Sequence, residues 1–269
     1  MNISKSYAFL LLVLLTQSVQ AETITFGIVP QQSANKLAQL WTPITQHLSK
    51  KTGLNIKFST ANSIPEFERQ LMKGEYDIAY MNPYHFTVFM QKPGYTAVAK
   101  QKNKQIKGII VTSKNSSIQT LEDLSGSSLS FPSEAAFAAS ILTRSELSKK
   151  GVEFTPKYVS SHDSVYLTVA RGIFPAGGGV VRTFNNIDPA IKENLRILWT
   201  TKGYTPHAIA VHPSMTPDTK SKIQDALISI NSDPELLKRI KFNELELAKD
   251  TDWDDVADLD ITLLDHLIK

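Results

Sequence analysis

The chain has 269 residues, a formal net charge of +3 and no cysteine. This length allows one large or two medium domains that each bury a core. The small net charge and the lack of a lysine- and arginine-rich run give no sign of a nucleic-acid partner. A chain without cysteine also has no disulfide, no thiolate nucleophile, no cysteine-ligated zinc and no lipid attached through cysteine.

The first 21 residues have the pattern of a secretory signal. Lys5 supplies positive charge, an apolar stretch spans residues 7–15, and residues 19–21 form a small-x-small cleavage site before Glu22. The apolar stretch is too short to span a membrane, so a retained anchor is the less favoured alternative. We therefore predict a signal peptide over residues 1–21 and a mature protein located in the periplasm.

The mature chain begins with alternating strands and helices. In its first helix, between residues 35 and 53, the apolar residues recur on one face of a 3.6-residue repeat. We predict strands at 23–29, 54–59 and 77–81, and helices up to Gly53, at 63–72 and at 83–91. This β-α-β-α-β-α order is typical of a parallel sheet covered by helices.

The same alternation starts again after two strands at 95–100 and 107–112 and a helical turn at 121–124. We predict strands at 129–131, 155–159, 176–181, 196–200 and 207–211. We predict helices from Ser133 to near Gly151 and at 161–171, 184–193, 217–230, 234–240 and 254–267. A second α/β unit therefore interrupts the first.

This order predicts an α/β protein of two lobes, the second inserted in the first. Lobe I would comprise residues 22–108 and 207–269, and lobe II residues 109–206. The chain would cross between the lobes near 107–113 and 204–211. The polar turns after the strands of both lobes would then face one cleft, where ligands of open α/β sheets bind.

The segment from Leu129 to Ser140 predicts one wall of that cleft. Pro132 ends a short strand, and Ser133 is a good N-cap for the Ala-rich helix that follows. A helix N-terminus presents unpaired N–H groups and the positive end of the helix dipole, so the amides of Glu134, Ala135 and Ala136 are candidate anion donors. The alternative is an ordinary capped turn without a ligand.

Two further turns carry neutral donors. Tyr80 and Asn82 follow the third strand and can donate to an oxyanion without adding charge; alternatively, Asn82 only caps its helix. Ser161 and His162 begin another helix, and His162 would add positive charge if it were protonated. A half-buried structural histidine is the alternative.

The glycine run 177–179 lies within a predicted strand, and Arg182 follows directly after that strand. The run lacks the Lys-Ser/Thr of a phosphate loop, so it more plausibly lets another backbone come close. Arg182 could hold an oxyanion through two N–H groups, or it could form a salt bridge. Tyr204, near the second crossing, completes the candidate ligand set. We find no catalytic motif, so we expect no catalytic residues and no cofactor. His207 and His212 are spaced to lie on opposite faces of a strand and cannot share a metal, so we expect no metal site.

Several of these stretches together resemble a known family. They are the opening 26–30, the runs 77–83 and 118–126, the turn 131–133, and Ser161 to Asp163. They resemble the periplasmic phosphate/phosphite/phosphonate-binding proteins of ABC importers, which have the type II periplasmic-binding-protein fold. The resemblance implies a two-lobe clamp that closes on a small phosphorus oxyanion, with Tyr80, Ser133, the following amides, Ser161 and His162 facing the ligand.

This sequence departs from the family pattern in two places. The hydroxyl-rich turn of the family is poorer in hydroxyls here, at 133–136. The acidic residues that members with amino-phosphonate ligands carry after the histidine segment are missing. An ammonium group would therefore lack its counter-charge and would be repelled by Arg182, so we expect phosphate, phosphite or a small alkyl phosphonate.

The expected partner is an ABC permease, to which a monomeric receptor would deliver the oxyanion. A histidine kinase sensor is the alternative partner, because the same clamp could signal its liganded state. An enzyme is the third possibility, which the lack of a visible nucleophile–base pair disfavours.

Overall fold

The computed structural model describes residues 23–268, so the predicted signal peptide lies outside the described residues. Eleven strands occur in this part of the chain. They are β1 Thr23–Ile28, β2 Asn55–Thr60, β3 Ile78–Met81, β4 Thr96–Gln101, β5 Gly108–Ser113, β6 Ser127–Phe131, β7 Phe154–Tyr158, β8 Ala176–Val180, β9 Leu195–Thr200, β10 Ala208–Val211 and β11 Leu245–Leu247.

The helices of the described residues follow most of these strands, although β5 comes directly after β4. They are α1 Ala34–Thr52, α2 Ile64–Met72, α3 Pro83–Phe89, a π-helical segment Phe137–Leu142 continued by α4 Thr143–Lys149, α5 His162–Ala170, α6 Val181–Asn185, α7 Pro189–Lys192, α8 Pro217–Ser229, α9 Pro234–Ile240, α10 Asp254–Ala257 and α11 Asp265–Ile268. Short 3-10 turns occur at Glu122–Leu124, Ile230–Ser232 and Asp250–Trp253.

The first helix shows how the pattern of the sequence becomes structure. Ser33 accepts a hydrogen bond from the backbone N–H of Lys36 and so caps α1, which the left-handed Gly53 (φ 73°) ends. The predicted apolar face of α1 is buried, with Trp41 and Leu48 almost fully so. The helix thus covers β1 and β2 as the sequence predicts.

The strands form two separate sheets. The first has the order β11-β4-β10-β3-β1-β2, and the second has the order β7-β6-β8-β5-β9. In the first sheet β1 pairs in parallel with β2 and β3, and β10 runs antiparallel between β3 and β4. In the second, β6 is parallel to both β7 and β8. In each sheet, the carboxyl ends of the parallel strands therefore lie at the same edge.

Two extended segments, 102–107 and 201–207, connect the sheets. They touch through a backbone bridge in which Ile106 N–H donates to Tyr204 O at 2.8 Å and Tyr204 N–H to Ile106 O at 3.1 Å. The strands of the first sheet come from residues 23–101 and 208–247, and those of the second from residues 108–200. The lobe boundaries 22–108 with 207–269 and 109–206 stay a prediction. The predicted crossings overlap β5 and β10, and the connecting segments themselves lie a few residues earlier.

The C-terminal region differs from the prediction of one helix over 254–267. The helix α10 ends at Ala257, Asp260 has a left-handed backbone (φ 48°), and only α11 resumes the helix. The intervening tail packs on the first lobe, where Leu264 N–H donates to the Tyr84 hydroxyl at 2.8 Å. This tertiary docking overrides the local helical pattern. The three-residue edge strand β11, which pairs with β4, was not predicted.

Candidate ligand-binding site

The strand ends of the two lobes meet face to face. After β1, the Gln31 carbonyl accepts from the His162 backbone N–H at 3.1 Å, and its side-chain oxygen accepts from Arg182. After β3, Asn82 Nδ2 donates to the Ala135 carbonyl at 3.3 Å. Turns that the sequence assigned to one cleft are therefore in direct contact across the two sheets.

A small pocket with buried walls lies between these turns. Its free volume is about 10 Å³, which is room for roughly one water molecule. Its walls include Gln31, Asn82, Ala136, Phe137, Ala138, Ala139, His162 and His207. This is the point where donors of both lobes converge, and a larger guest requires the lobes to separate or the walls to shift.

The wall from the second lobe is the start of the π-helical segment. The prediction that Ser133 caps this helix is wrong, because the helix begins at Phe137 and its N-cap, Ala136, makes no side-chain capping bond. The Ser133 hydroxyl is buried without a hydrogen-bond partner, while its carbonyl accepts from Ser140 Oγ at 2.5 Å. The intervening turn is therefore held by Ser140 rather than by a Ser133 cap.

Close packing on glycine explains this late helix start. A Cβ on Gly178 would collide with the Ala139 carbonyl oxygen, and one on Gly108 with that of Ala138. The helix backbone thus lies directly on β5 and β8, which only glycines in those strands permit. This confirms that the glycine run admits another backbone.

The first N–H groups of this helix are the donors the site offers to an anion. Those of Phe137, Ala138 and Ala139 have no backbone acceptor within residues 23–268. All three residues are buried and line the small pocket. Unpaired N–H groups at a helix start favour an anion, because they replace the hydrogen bonds that water gave it. These donors lie further along the chain than the amides of 134–136 that the sequence suggested.

Tyr80 lies at the end of β3 inside an aromatic stack. Its ring is 4.7 Å from that of Trp41 and 4.9 Å from that of His207, centroid to centroid, and the Arg182 guanidinium is 5.9 Å from its centre. Burial raises the pKa of Tyr80 and outweighs the opposing effect of Arg182. The phenol therefore stays protonated and can act as a donor.

His162 begins α5, which Ser161 caps by accepting from the Ser164 N–H at 3.1 Å. Burial, and secondly Arg182, lower the pKa of His162 to about 3. The imidazole is thus neutral at neutral pH, and the charged form considered from the sequence does not apply. Its Nδ1 lies 3.3 Å from Thr183 Oγ1, which leaves the other ring nitrogen for the pocket.

His207 is a site residue that the sequence analysis missed. It is buried, it faces the small pocket, and its Nε2 has no hydrogen-bond partner in the described chain. Burial, followed by the charge of Arg182, lowers its pKa well below the usual value. Only the pairing of β10 with β3, which sets Ala208 opposite Met81, brings His207 beside the Tyr80 turn. No local signal reports that long-range pairing.

The other candidates have different places. Arg182 and Tyr80 line a second, larger cavity rather than the small pocket. Ser133, Glu134 and Ala135 line a third cavity, of about 330 Å³, on the side of the C-terminal tail.

Two predicted ligand residues line none of these three cavities. Tyr204 packs edge-on against Phe137 at 5.5 Å, so it supports the helix start. The Ser161 hydroxyl is engaged within its own helix. Only some of the ligand-binding residues predicted from the sequence therefore line a common pocket.

Asn82 joins the small pocket to a buried polar group. Its Oδ1 accepts from the His85 backbone N–H at 2.8 Å, so it does cap α3. Its Nδ2 lies 3.0 Å from His85 Nε2, which in turn contacts Glu68 Oε1 at 2.9 Å. The same side chain reaches Ala135 of the other lobe, so capping and contact between lobes are combined in one residue.

A family model described as "ABC transporter, phosphonate, periplasmic substrate-binding protein" matches residues 26–253. The chain belongs to this family. The resemblance drawn from the sequence is confirmed: the family acts in the periplasm, works with an ABC permease, binds a small phosphonate ligand and comprises transport receptors rather than enzymes. Among residues 23–268, no helix has the length and hydropathy needed to cross a membrane.

Solved structures share the fold at low identity. PhnD1 from Prochlorococcus marinus, in complex with methylphosphonate, is 17% identical, with 88% of this chain and 96% of that chain covered and a TM-score of 0.80. PA3383 from Pseudomonas aeruginosa, a binding protein component of an ABC phosphonate transporter, is 15% identical, with 89% and 86% covered and a TM-score of 0.83. XAC2383 from Xanthomonas citri, bound to ATP, is 15% identical, with 88% and 98% covered and a TM-score of 0.65. The chain therefore has the two-lobed type II periplasmic-binding-protein fold.

Proposed function

We propose that this protein captures a compact phosphorus oxyanion in the periplasm and delivers it to the permease of an ABC importer. The ligand class is phosphate, phosphite or a small alkyl phosphonate. The observation that carries the proposal is the unpaired N–H groups of Phe137, Ala138 and Ala139, which face the small pocket beside the neutral donors of the other lobe. The relative solved with methylphosphonate supports the same class.

Neutral donors suit such a ligand. An oxyanion that enters a buried site loses its water, and fixed N–H and O–H groups replace that hydration without reorganising. Each charge-assisted hydrogen bond contributes about 1.5–3 kcal/mol, and a micromolar affinity requires about 8 kcal/mol in total. A few such bonds from the helix amides and the two imidazoles therefore suffice, and Tyr80 can add one from the adjoining cavity, where it stacks on His207.

The lobes must move for the ligand to enter. The small pocket has room for only about one water molecule, and the contacts of Gln31 with His162 and Arg182 join its two walls. Opening would break these contacts, and closure around the ligand would desolvate it. We place the hinge in the connecting segments 102–107 and 201–207.

Titration calorimetry tests the proposal directly. Phosphate, phosphite and methylphosphonate are each titrated into the purified protein, with sulfate as a comparison oxyanion. At least one phosphorus oxyanion should release heat and bind with micromolar or tighter affinity. Heat with sulfate alone, or with none of the four, would refute the proposed ligand class.

A matched pair of variants ties the affinity to this site. His162→Gln removes an imidazole from the small pocket and should weaken binding by about 1–3 kcal/mol. His212→Gln makes the same chemical change at a histidine that contacts Ser214 and Tyr95 outside the cleft, and it should leave affinity unchanged. Equal effects of the two substitutions would remove the small pocket from the proposal.

Three further expectations belong to the same proposal. The mature protein should begin at Glu22, which N-terminal sequencing of the exported protein would show. It should be monomeric, which light scattering after gel filtration would measure. The expected partner is the permease of an ABC importer rather than a sensor kinase.

A further inference from the structure

A second, much larger cavity adjoins the small pocket on the side of the connecting segments. Its free volume is about 910 Å³, and it is open to solvent. Its walls come from the end of β4, from both connecting segments, from the start of α6 and from the residues around β11. It is far larger than a lone oxyanion requires, so the proposed function does not account for it.

The lining of this cavity is strongly basic. Five cationic side chains line it, against one carboxylate, that of Glu246. The cations are Lys100, Lys104, Lys107, Arg182 and Lys241. The whole chain has a formal charge of only +3, so this concentration of positive charge is a local feature.

Four of these cations have no carboxylate partner. Lys100 is neutralised by Asp252 at 2.6 Å and Glu246 at 3.3 Å. None of the ion pairs formed within residues 23–268 involves Lys104, Lys107, Arg182 or Lys241. Like charges gathered around one concave space raise its positive potential and attract anions.

The two cavities are continuous in their walls. Ile106, Val180 and His207 line both of them. A molecule whose oxyanion lies in the small pocket can therefore extend past His207 into the larger cavity. Tyr80 and Arg182 lie along that route.

We propose that the larger cavity binds a second anionic group of the ligand, a carboxylate or a second phosphoryl group joined by a short chain to the oxyanion in the small pocket. This inference rests on the proposed function and specifies its substrate class. It places the selectivity for the ligand's tail in the unpaired lysines and Arg182. Such a tail carries the opposite charge to an aminoalkyl group, which this cavity repels.

Three phosphonates of equal chain length and different terminal charge test the inference. They are 2-carboxyethylphosphonate, propylphosphonate and 2-aminoethylphosphonate, and methylenediphosphonate is the arm with a second phosphoryl group. Each exposed ion pair contributes a factor of about 2 to 5, so the carboxyethyl or diphosphonate ligand should bind about 10-fold tighter than the propyl ligand, with the aminoethyl ligand weakest. The ratio should shrink when salt rises from about 20 mM to about 300 mM.

Paired variants locate the effect. Lys104→Gln with Lys107→Gln should lower the ratio of carboxyethyl to propyl affinity about 5-fold, as expected for two exposed pairs. Lys50→Gln with Lys51→Gln removes the same charge from the last turn of α1 and should leave the ratio unchanged. An equal fall in both double variants would show an effect of net charge only and would overturn the inference.

The two proposals fail in different ways. If both anionic-tail ligands bind no tighter than propylphosphonate, the second subsite is refuted while the proposed function stands. If none of these probes binds, and methylphosphonate, phosphate and phosphite also release no heat, the proposed function itself fails.

Discussion

The two adjoining cavities offer opposite solutions to the binding of an anion. The small pocket has buried walls and presents neutral groups, namely helix amides and two imidazoles with lowered pKa values. The large cavity is open and presents cations on partly or largely exposed side chains. An unpaired charge costs much when it is buried and little when water still reaches it. Burial therefore favours uncharged donors in the small pocket, and exposure to water permits cationic side chains in the large cavity.

The small pocket and the large cavity therefore suit the recognition of different parts of a ligand. Short-range donors in a buried pocket depend on exact atom positions, so they suit recognition of one compact oxyanion. Solvated cations act over longer distances and tolerate different tails, but salt weakens them. Changes to the inner wall should therefore have large effects that salt does not alter, and changes to the outer wall small ones that it does.

The largest effect is expected where the inner wall rests on the sheet. In Gly178→Val the new side chain would meet the Ala139 carbonyl and the Phe131 ring, so the helix start must move away from β8. We expect a loss of about 3 kcal/mol in the free energy of unfolding and a large loss of oxyanion affinity. Chemical denaturation and calorimetry measure the two effects.

Gly53→Ala is the control for that substitution. Nothing lies within 4 Å of its new Cβ, so the cost is the strain of a left-handed backbone (φ 73°) alone. Stability should fall by about 1 kcal/mol, and oxyanion affinity should be unchanged. A Gly178→Val protein with wild-type stability and affinity would show that the helix start does not depend on contact with the glycine strand.

This glycine contact also marks the limit of what the sequence could predict. The alternation of strands and helices, the Trp41 face of α1 and the insertion of one α/β unit in another follow from local patterns, and they predict the fold well. The Ala-rich stretch correctly predicts a helix. Its first residue depends on how close the helix lies to β8, which is a distance that composition does not encode.

The candidate site was predictable only where local chemistry decides it. Asn82 and Ser161 cap helices as their sequence positions indicate, and His162 reaches the pocket. His207 could not be found, because it enters the site through the antiparallel pairing of β10 with β3, strands far apart in the chain. The neutrality of His162 likewise depends on burial, which a single turn does not reveal.

The second largest expected effect is a pH dependence of the folding stability, which follows from the neutral state of His162. The folded-state pKa of His162 is about 3, against about 6.5 in an unfolded chain. The unfolded state therefore binds more protons between these values, and the stability that is present above about pH 6.5 is lost as the pH falls. His162 alone should cost the fold about 2 kcal/mol between about pH 7 and about pH 5.

Denaturation of the His162→Gln variant at the two pH values isolates this contribution. The variant should lose about 2 kcal/mol less stability on acidification than the wild type. A His162→Gln protein as sensitive to acid as the wild type would mean that the imidazole is protonated in the folded state.

A smaller effect is expected from the phenol at the junction of the two cavities. Tyr80→Phe removes a donor while keeping the ring stacked on His207 and Trp41. Oxyanion affinity in calorimetry should fall by about 1–3 kcal/mol without loss of fold. In Tyr95→Phe the lost hydroxyl is one that donates to the Tyr76 carbonyl at 2.7 Å, so affinity should persist even if stability falls. A reversal of these two outcomes would place the ligand away from Tyr80.

The smallest effect is expected at a contact between lobes beside the larger cavity, which Asn186 lines. Lys36 Nζ donates to the Asn186 carbonyl at 2.6 Å and lies 3.9 Å from the Asp163 carboxylate. Lys36→Met keeps the side-chain stem but removes both interactions, which exist only when the lobes are closed. Because the pair is partly solvated, we expect affinity to fall about 2- to 5-fold, and less at high salt.

Lys222→Met is the matched control, since its partner Asp218 lies on the same helix at 2.7 Å and does not link the lobes. Its oxyanion affinity should equal that of the wild type. An unchanged affinity in Lys36→Met would mean that closure is driven by the ligand and the inner wall alone. A fall in Lys36→Met that high salt abolishes, with none in Lys222→Met, would show that solvated charges between the lobes support closure, as they support the ligand's tail within the larger cavity.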